Sequence, residues 1–218
     1  MRRTAAAMLA APMPPAPTPI RVEDIASHPD FVPLHAVDGI AIDLRYAHVG
    51  NFTGRVLYRG IDCAWLRREA ADGLRAAAAQ LARARPGWRL AVLDALRPQR
   101  VQQAIWDEFG GGGLEQYFAH PERGSIHSWG LAVDATLLDA AGRELDMGSA
   151  FDAMTPLSHP ELEAGHLARG LLRAEQVEAR RALREAMAAG GFAGIANEWW
   201  HFDHGDRARA RACLPRVL

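Results

Sequence analysis

His127 and Asp134 lie seven residues apart in the stretch Gly124-Ser125-Ile126-His127-Ser128-Trp129-Gly130-Leu131-Ala132-Val133-Asp134. Far downstream, Asn197-Glu198-Trp199-Trp200-His201 adds a second histidine with a carboxylate three residues before it. Two imidazoles and a carboxylate are the donor set of a hydrolytic zinc centre, which takes three protein ligands and leaves one position for water. Water on such an ion has a pKa of roughly 7, and a neighbouring carboxylate can accept its proton during attack on a carbonyl. The spacing therefore points to His127, Asp134 and His201 as ligands and to Glu198 as general base.

These residues must be delivered to one place by the elements around them. Leu131 to Val133 reads as a short buried strand carrying Asp134 at its end, with His127 on a loop before it. Gly130 and the small Ala132 would let the backbone pass close to an ion. Residues three apart on a straight strand face opposite ways, so Glu198 and His201 can share a cavity only if the chain bends at Trp199-Trp200. Trp88 to Leu96 reads as a second buried strand, and Arg97-Pro98 then opens a helix to about Phe109. That leaves Arg97 at a strand-to-helix junction.

The remaining chain supplies scaffold. Asp62 can cap a helix to about Arg85 that Pro86-Gly87 ends, and Leu171 to Ala189 is a helix stopped by Gly190-Gly191. Ile40 to Tyr46 alternates like a strand, and Leu137 to Arg143 reads as a hairpin turning at Ala141-Gly142. Gly110 to Gly113 reads as a mobile connection, Phe151 to His166 as a loop, and the Arg- and Ala-rich tail after His204 as a surface turn of helix.

Ser125-x-His127-x-x-Gly130-x-x-x-Asp134 followed by Glu198-x-Trp200-His201 resembles the signature of the zinc D-alanyl-D-alanine dipeptidases of the VanX type, within the D-Ala-D-Ala metallopeptidases. Asp43-Leu44-Arg45-Tyr46-Ala47 with Asn51-Phe52-Thr53-Gly54, Asp94-Ala95-Leu96-Arg97-Pro98 and Asp146-Met147-Gly148-Ser149-Ala150-Phe151-Asp152 resemble further family segments in the same order. The resemblance spans about Ile40 to about His204. It implies one zinc per chain on His127, Asp134 and His201, Glu198 as catalytic base and Arg97 steadying the substrate carbonyl. It further implies that Tyr46 and Ser125 line a dipeptide pocket, and that the fold is α+β, a small antiparallel sheet carrying the zinc site flanked by helices. Trp129 stands where the family usually has Arg, and Ala135 where Leu is common. Trp129 is accordingly expected to border the pocket.

Two readings compete with D-Ala-D-Ala hydrolysis. One is a carboxypeptidase of the same group acting on longer peptidoglycan peptides, and the other is a non-catalytic binding module that keeps zinc structurally. Among the other histidines, His159 and His166 form a rival pair seven apart, and His204 competes with His201. Asp152 would either hold the substrate's amino group or cap the following turn.

The 218 residues suit a single catalytic domain from residue 21 to 218. A formal charge of -1 gives no electrostatic footprint for nucleic acid or a membrane surface and leaves small neutral or zwitterionic substrates open; the small dipeptide as partner is what the resemblance implies. Cys63 and Cys213 are too few for a disulfide scaffold or a cysteine zinc site. Residues 1–20 combine Arg2 and Arg3, an Ala-rich run and five prolines. They read as a disordered leader or a weak signal peptide, which favours the cytoplasm and leaves the periplasm as the alternative. No stretch approaches the roughly 20 apolar residues of a membrane span.

Overall fold

Helix α1, Arg68–Ala84, buries Ala70, Ala71, Leu74, Ala77, Ala78 and Leu81. That stripe repeats at three, four and seven residues, the period of one helix face. The computed structural model, which describes residues 17–218, lays this stripe against a sheet and against a second long helix. In chain order the elements are β1 Phe31–Pro33, β2 Ile40–Ile42, β3 Trp65–Arg67, α1, β4 Arg89–Asp94, α2 Gln99–Phe109, β5 Ala132–Leu138 and α3 Glu163–Ala168. They end with α4 Ala174–Ala189, β6 Phe192–Gly194, β7 His201–His204 and α5 Arg207–Cys213.

The main sheet has the order β2-β4-β5-β7-β6, and β1 pairs with β3 in a separate two-stranded ribbon. Every pairing in the main sheet is antiparallel except β2 with β4, which is parallel. The fold is thus α+β, with a short parallel edge on the antiparallel sheet expected from the sequence. Along β5 the side chains alternate: Val133, Ala135 and Leu137 join the core with Leu74 and Leu81 of α1 and Leu183 and Met187 of α4. Asp134 and Thr136 occupy the other face. Helices α1 and α4 approach so closely that a Cβ on Gly73 would stand 2.3 Å from the Gly190 carbonyl oxygen.

Several boundaries differ from the sequence reading. Asp62 does not cap α1; its carboxylate accepts from the Ala64 N–H and the Trp65 Nε1, both at 2.9 Å. Trp65 to Arg67 instead pairs with β1, because the apolar Trp65 and Leu66 are buried by that ribbon and the helix can begin only after it. The strand expected over Ile40 to Tyr46 is β2 and stops at Ile42, and Arg45–Ala47 is a turn of 3-10 helix. Residues 151–166, read as loop, contain the start of α3. Helix α4 begins at Ala174, where the Arg173 N–H donates to the Gln176 side chain at 2.8 Å. The hairpin after β5 turns as expected, with the Asp139 N–H bonded to the Arg143 carbonyl at 2.8 Å.

Most of the N-terminal leader, residues 1–16, lies outside the described residues. At its end Ile20 is already buried and bridges Val217 in parallel. Among the described residues no helix is long and apolar enough to cross a membrane. Cys63 is a buried free thiol and Cys213 an exposed one.

Candidate metal centre and its cavity

Strand register brings the central groups together. Asp134 on β5 pairs across with Asp94 on β4 and with His201 on β7, and cross-strand partners project to the same face of a sheet. His127 arrives from the 3-10 turn Ile126–Trp129 that leads into β5. That turn is ended by Gly130 at φ 67°, a left-handed conformation glycine adopts without strain. A Cβ at Gly130 would lie 2.6 Å from the Phe31 ring, so its small size serves packing on β1 rather than approach to an ion.

The resulting cluster is tight. His201 Nδ1 is 3.0 Å from Asp134 Oδ1, His127 Nε2 is 3.3 Å from the same oxygen, and the two nitrogens are 3.1 Å apart. The outward nitrogens define the tautomers. His127 Nδ1 donates to the Ala95 carbonyl at 2.7 Å, and His201 Nε2 donates to Asp203 Oδ1 at 2.9 Å. With both protons directed outward, two imidazole lone pairs and a carboxylate oxygen face one another. Three donors on one ion at roughly 2.0–2.2 Å each must stand within a few ångström of one another, and these lie within 4.8 Å. The donor set fits a metal ion.

Electrostatics favour a cation there. Burial alone would raise the Asp134 carboxyl, but His127 and His201 hold it far below the usual carboxylate range. Burial would depress His201, yet Asp203 and Asp134 outweigh it and hold the imidazole well above its ordinary value. A metal must therefore displace a proton to bind. Asp203 carries a second partner, with Arg207 Nε 2.5 Å from its other oxygen.

Arg97 lies beneath this cluster, its side chain 11% exposed. Its Nη2 is 2.7 Å from Asp94 and 3.3 Å from Asp134 Oδ2, its Nε bonds Asp94 at 2.9 Å, and its guanidinium lies 4.9 Å from the Tyr46 ring centroid. Asp94 is fully buried and accepts from the Tyr58 hydroxyl as well. The strand-to-helix junction thus becomes an ion-paired support under one donor of the cluster.

The cluster opens into a cavity of about 580 Å³ lined among others by Tyr46, Arg97, Ser125, Asp152, Glu198 and Trp200. Glu198 sits in the connection between β6 and β7, where the backbone bends at Trp199 and Trp200, the irregularity its spacing from His201 requires. Burial pushes its carboxyl up to about 7, with Asp134 adding to the effect and His201 opposing it. Asp152, at φ 59°, accepts weakly from the Tyr46 hydroxyl at 3.4 Å, while its buried Oδ2 has no partner among the described residues. Desolvation first and Asp134 next raise its pKa well above normal.

Not every expectation holds. Trp129 does not border the cavity: it is 2% exposed, donates its Nε1 to the Leu214 carbonyl at 3.0 Å, and lies under the Arg216 guanidinium. Its apolar ring fills space between the turn and α5, which an arginine could not do without a counter-charge. His159 bonds the Tyr117 hydroxyl and His166 the Pro156 carbonyl, so neither faces the other as a ligand. His204 lies against Phe192, on the opposite side of β7 from His201. Sequence reasoning missed Asp203, although His201-x-Asp203 on a strand puts both on one face. It also gave Asp94 and Tyr58 no role, since their positions depend on long-range pairing.

Comparison with known proteins adds to this geometry. A family model described as D-ala-D-ala dipeptidase, peptidase family M15, matches residues 28–216. A D-alanyl-D-alanine dipeptidase of Escherichia coli (strain K12) is 36% identical over 169 residues, covering 75% of this chain and 78% of that protein. A protein of the same name from Streptomyces coelicolor is 36% identical over 187 residues, with 76% and 86% covered, and one from Enterococcus faecium is 33% identical over 188 residues, again with 76% and 86% covered.

Proposed function

The chain belongs to the M15 peptidase family, and from that premise we propose that it is a zinc-dependent dipeptidase hydrolysing D-Ala-D-Ala to two D-alanines. One zinc per chain would be held by His127 Nε2, Asp134 Oδ1 and His201 Nδ1. The observation that carries the reading is the meeting of these three inward donors with Glu198 in a single cavity. A bound zinc supplies Lewis acidity toward the peptide carbonyl and lowers the pKa of water.

The side chains divide the remaining work. Glu198 takes the proton of the attacking water and returns it to the nitrogen of the leaving D-alanine as the C–N bond breaks. Arg97 places positive charge near the carbonyl oxygen, where negative charge develops, and keeps Asp134 oriented. Asp152 and Tyr46 receive the substrate ammonium. A cation beside Asp152 restores the charged form that burial opposes and partners its lone oxygen. Ser125 faces the C-terminal carboxylate. This small peptide is the expected partner, and the cytoplasm the proposed compartment.

The test is D-alanine release from D-Ala-D-Ala by zinc-loaded protein, with a chelator-treated control and a longer peptide ending in D-Ala-D-Ala. Chelator-sensitive cleavage of the dipeptide alone is expected. Preferential cleavage of the longer peptide would make the enzyme a carboxypeptidase, and cleavage of neither would end the reading.

A further inference from the structure

Arginines at the mouth of the metal cavity take no part in the reaction above. Arg123, Arg207 and Arg211 line the cavity, and Arg216 stands beside them with its guanidinium 4.6 Å from the Trp129 ring centroid. Arg207 is paired with Asp203. The other three form no ion pair among the described residues. Arg211 donates to the carbonyls of Arg123 and Gly124 at 3.1 and 3.4 Å, and Arg216 to those of Pro121 and Glu122 at 3.3 and 3.4 Å. Burial first and Arg123 next hold the Arg211 pKa below its ordinary value, with Asp203 opposing them and Arg207 adding to them. Arg211 and Arg216 are thus held by backbone carbonyls alone, and none of the three has a carboxylate within ion-pair distance among the described residues.

Their place in the cavity gives that anion an identity. Acidic groups cluster near Tyr46, where Asp152 waits for a cation, while the arginines gather about α5 and the turn Ile126–Trp129 that it packs against. A dipeptide lying along this gradient puts its ammonium by Asp152 and its C-terminal residue by Ser125, the neighbour of Arg123-Gly124. One α-carboxylate at Ser125 does not neutralise the arginines beyond it. The cavity, at about 580 Å³, is in the range that holds drug-sized ligands, more than two alanines fill.

Resting on the dipeptidase reading, we propose that Arg123 and Arg211 form an anion subsite for the substrate's C-terminal residue. The enzyme then favours dipeptides whose C-terminal D-residue carries a side-chain carboxylate over neutral ones of the same size. Arg123, exposed and held by no other side chain, makes the contact, and Arg211 adds field while fixing the backbone that presents it.

The experiment compares kcat/KM for D-Ala-D-Glu and D-Ala-D-Gln, which differ in charge and hardly in shape, with D-Ala-D-Ala as reference, using the zinc-loaded full chain. The expected acid-to-amide ratio is roughly two to five, the range of a solvent-exposed ion pair, carried by KM and shrinking at high salt. Arg123→Ala should bring the ratio to about one, and Arg123→Lys should keep most of it. Because the ratio is taken within one protein, a loss of folded enzyme cancels. A ratio of one or less in the parent protein, or one unchanged in Arg123→Ala, overturns the subsite while D-Ala-D-Ala cleavage keeps the dipeptidase reading. No cleavage of any of the three overturns both.

Discussion

On the floor of the metal cavity Asp94, Asp134 and His201 stand on three adjacent strands, each fixed by ladder hydrogen bonds on both sides or by core packing. On the wall, Asp152 stands on a loop between β5 and α3 with no strand beneath it. A fully buried guanidinium replaces the ladder there. Arg180 donates from Nε to the Met147 carbonyl at 2.6 Å, from Nη2 to the Leu157 carbonyl at 3.0 Å and to Ser149 Oγ at 3.3 Å, and pairs with Glu163 at 3.4 Å. Ser149 in turn accepts from Trp199 Nε1 at 3.0 Å, so the loop carrying Asp152 is tied to the segment carrying Glu198. The floor owes its geometry to register, which a one-residue slip would invert. The wall owes its geometry to side-chain bonds, of which the largest set centres on one buried charge. Damage to the floor should therefore abolish metal binding or chemistry, and damage to the wall should loosen the peptide while sparing the metal.

The largest effects belong to the floor and to Glu198, which stands in the connection beside it. His201→Ala removes a donor and is expected to leave near-zero metal per chain after dialysis, with activity lost in parallel. Glu198→Gln is expected to retain metal and lose about 10²- to 10⁴-fold in kcat, the usual contribution of a general base. Metal analysis beside steady-state rates separates the two; a fully active Glu198→Gln protein would rule out the assigned base.

The wall comes next. Arg180→Met leaves Glu163 with only its pairing to Arg184 at 2.8 Å, strips the Met147 and Leu157 carbonyls of their donor and takes one of its donors from Ser149. Breaking one side of a buried pair costs about 3–5 kcal/mol, read by chemical denaturation. KM should rise more than kcat falls, with metal content unchanged. Ser149→Ala is the gentler version, expected to cost roughly 1 kcal/mol for the lost Trp199 bond with the same bias toward KM. If either variant lost metal as readily as His201→Ala, floor and wall would not be separate devices.

Asp203→Asn sharpens the comparison from within the floor. It keeps the shape that orients His201 Nε2 but removes the charge, and loss of such a partner typically costs 10- to 100-fold in metal affinity. Competition with a chromogenic chelator measures it. Since metal must displace the proton that Asp203 and Asp134 favour on His201, affinity should also fall as pH drops, and less steeply in Asp203→Asn.

The same division explains what could be read from the sequence. That His127, Asp134, Glu198 and His201 converge on one cavity was legible because local spacing joins two pairs of chemically unusual neighbours, and the required bend at Trp199-Trp200 followed from the period of a strand. Helices α1, α2 and α4 were legible from their apolar stripes and Gly or Pro ends. What stayed hidden depends on distant partners. Trp65 to Arg67 is strand rather than helix only because β1 covers it. Arg180 lies within an ordinary Ala- and Arg-rich helical text and gains its role only when the 146–158 loop folds over it. Trp129, placed at the pocket by its sequence neighbours, turns inward because α5 and Arg216 receive it.

The smallest expected effect is also the one in which stability and activity pull in opposite directions. Burial raises the Glu198 carboxyl from an ordinary 4.5 to about 7, so the folded protein holds this proton more tightly than the unfolded chain. Its contribution to stability is therefore complete below the unfolded value and is lost as pH rises through about 7. The proposed role as general base needs the opposite state, so kcat/KM should fall as pH drops through the same region. A bound cation favours the carboxylate and moves that acid limb lower. In metal-free protein the wild-type melting temperature should decline by a few degrees relative to Glu198→Gln between about pH 5 and pH 8, because the amide has no proton to lose. Parallel melting curves across that range would mean that the floor of the cavity solvates Glu198 better than its burial implies, and that the acid limb of the rate belongs to another group.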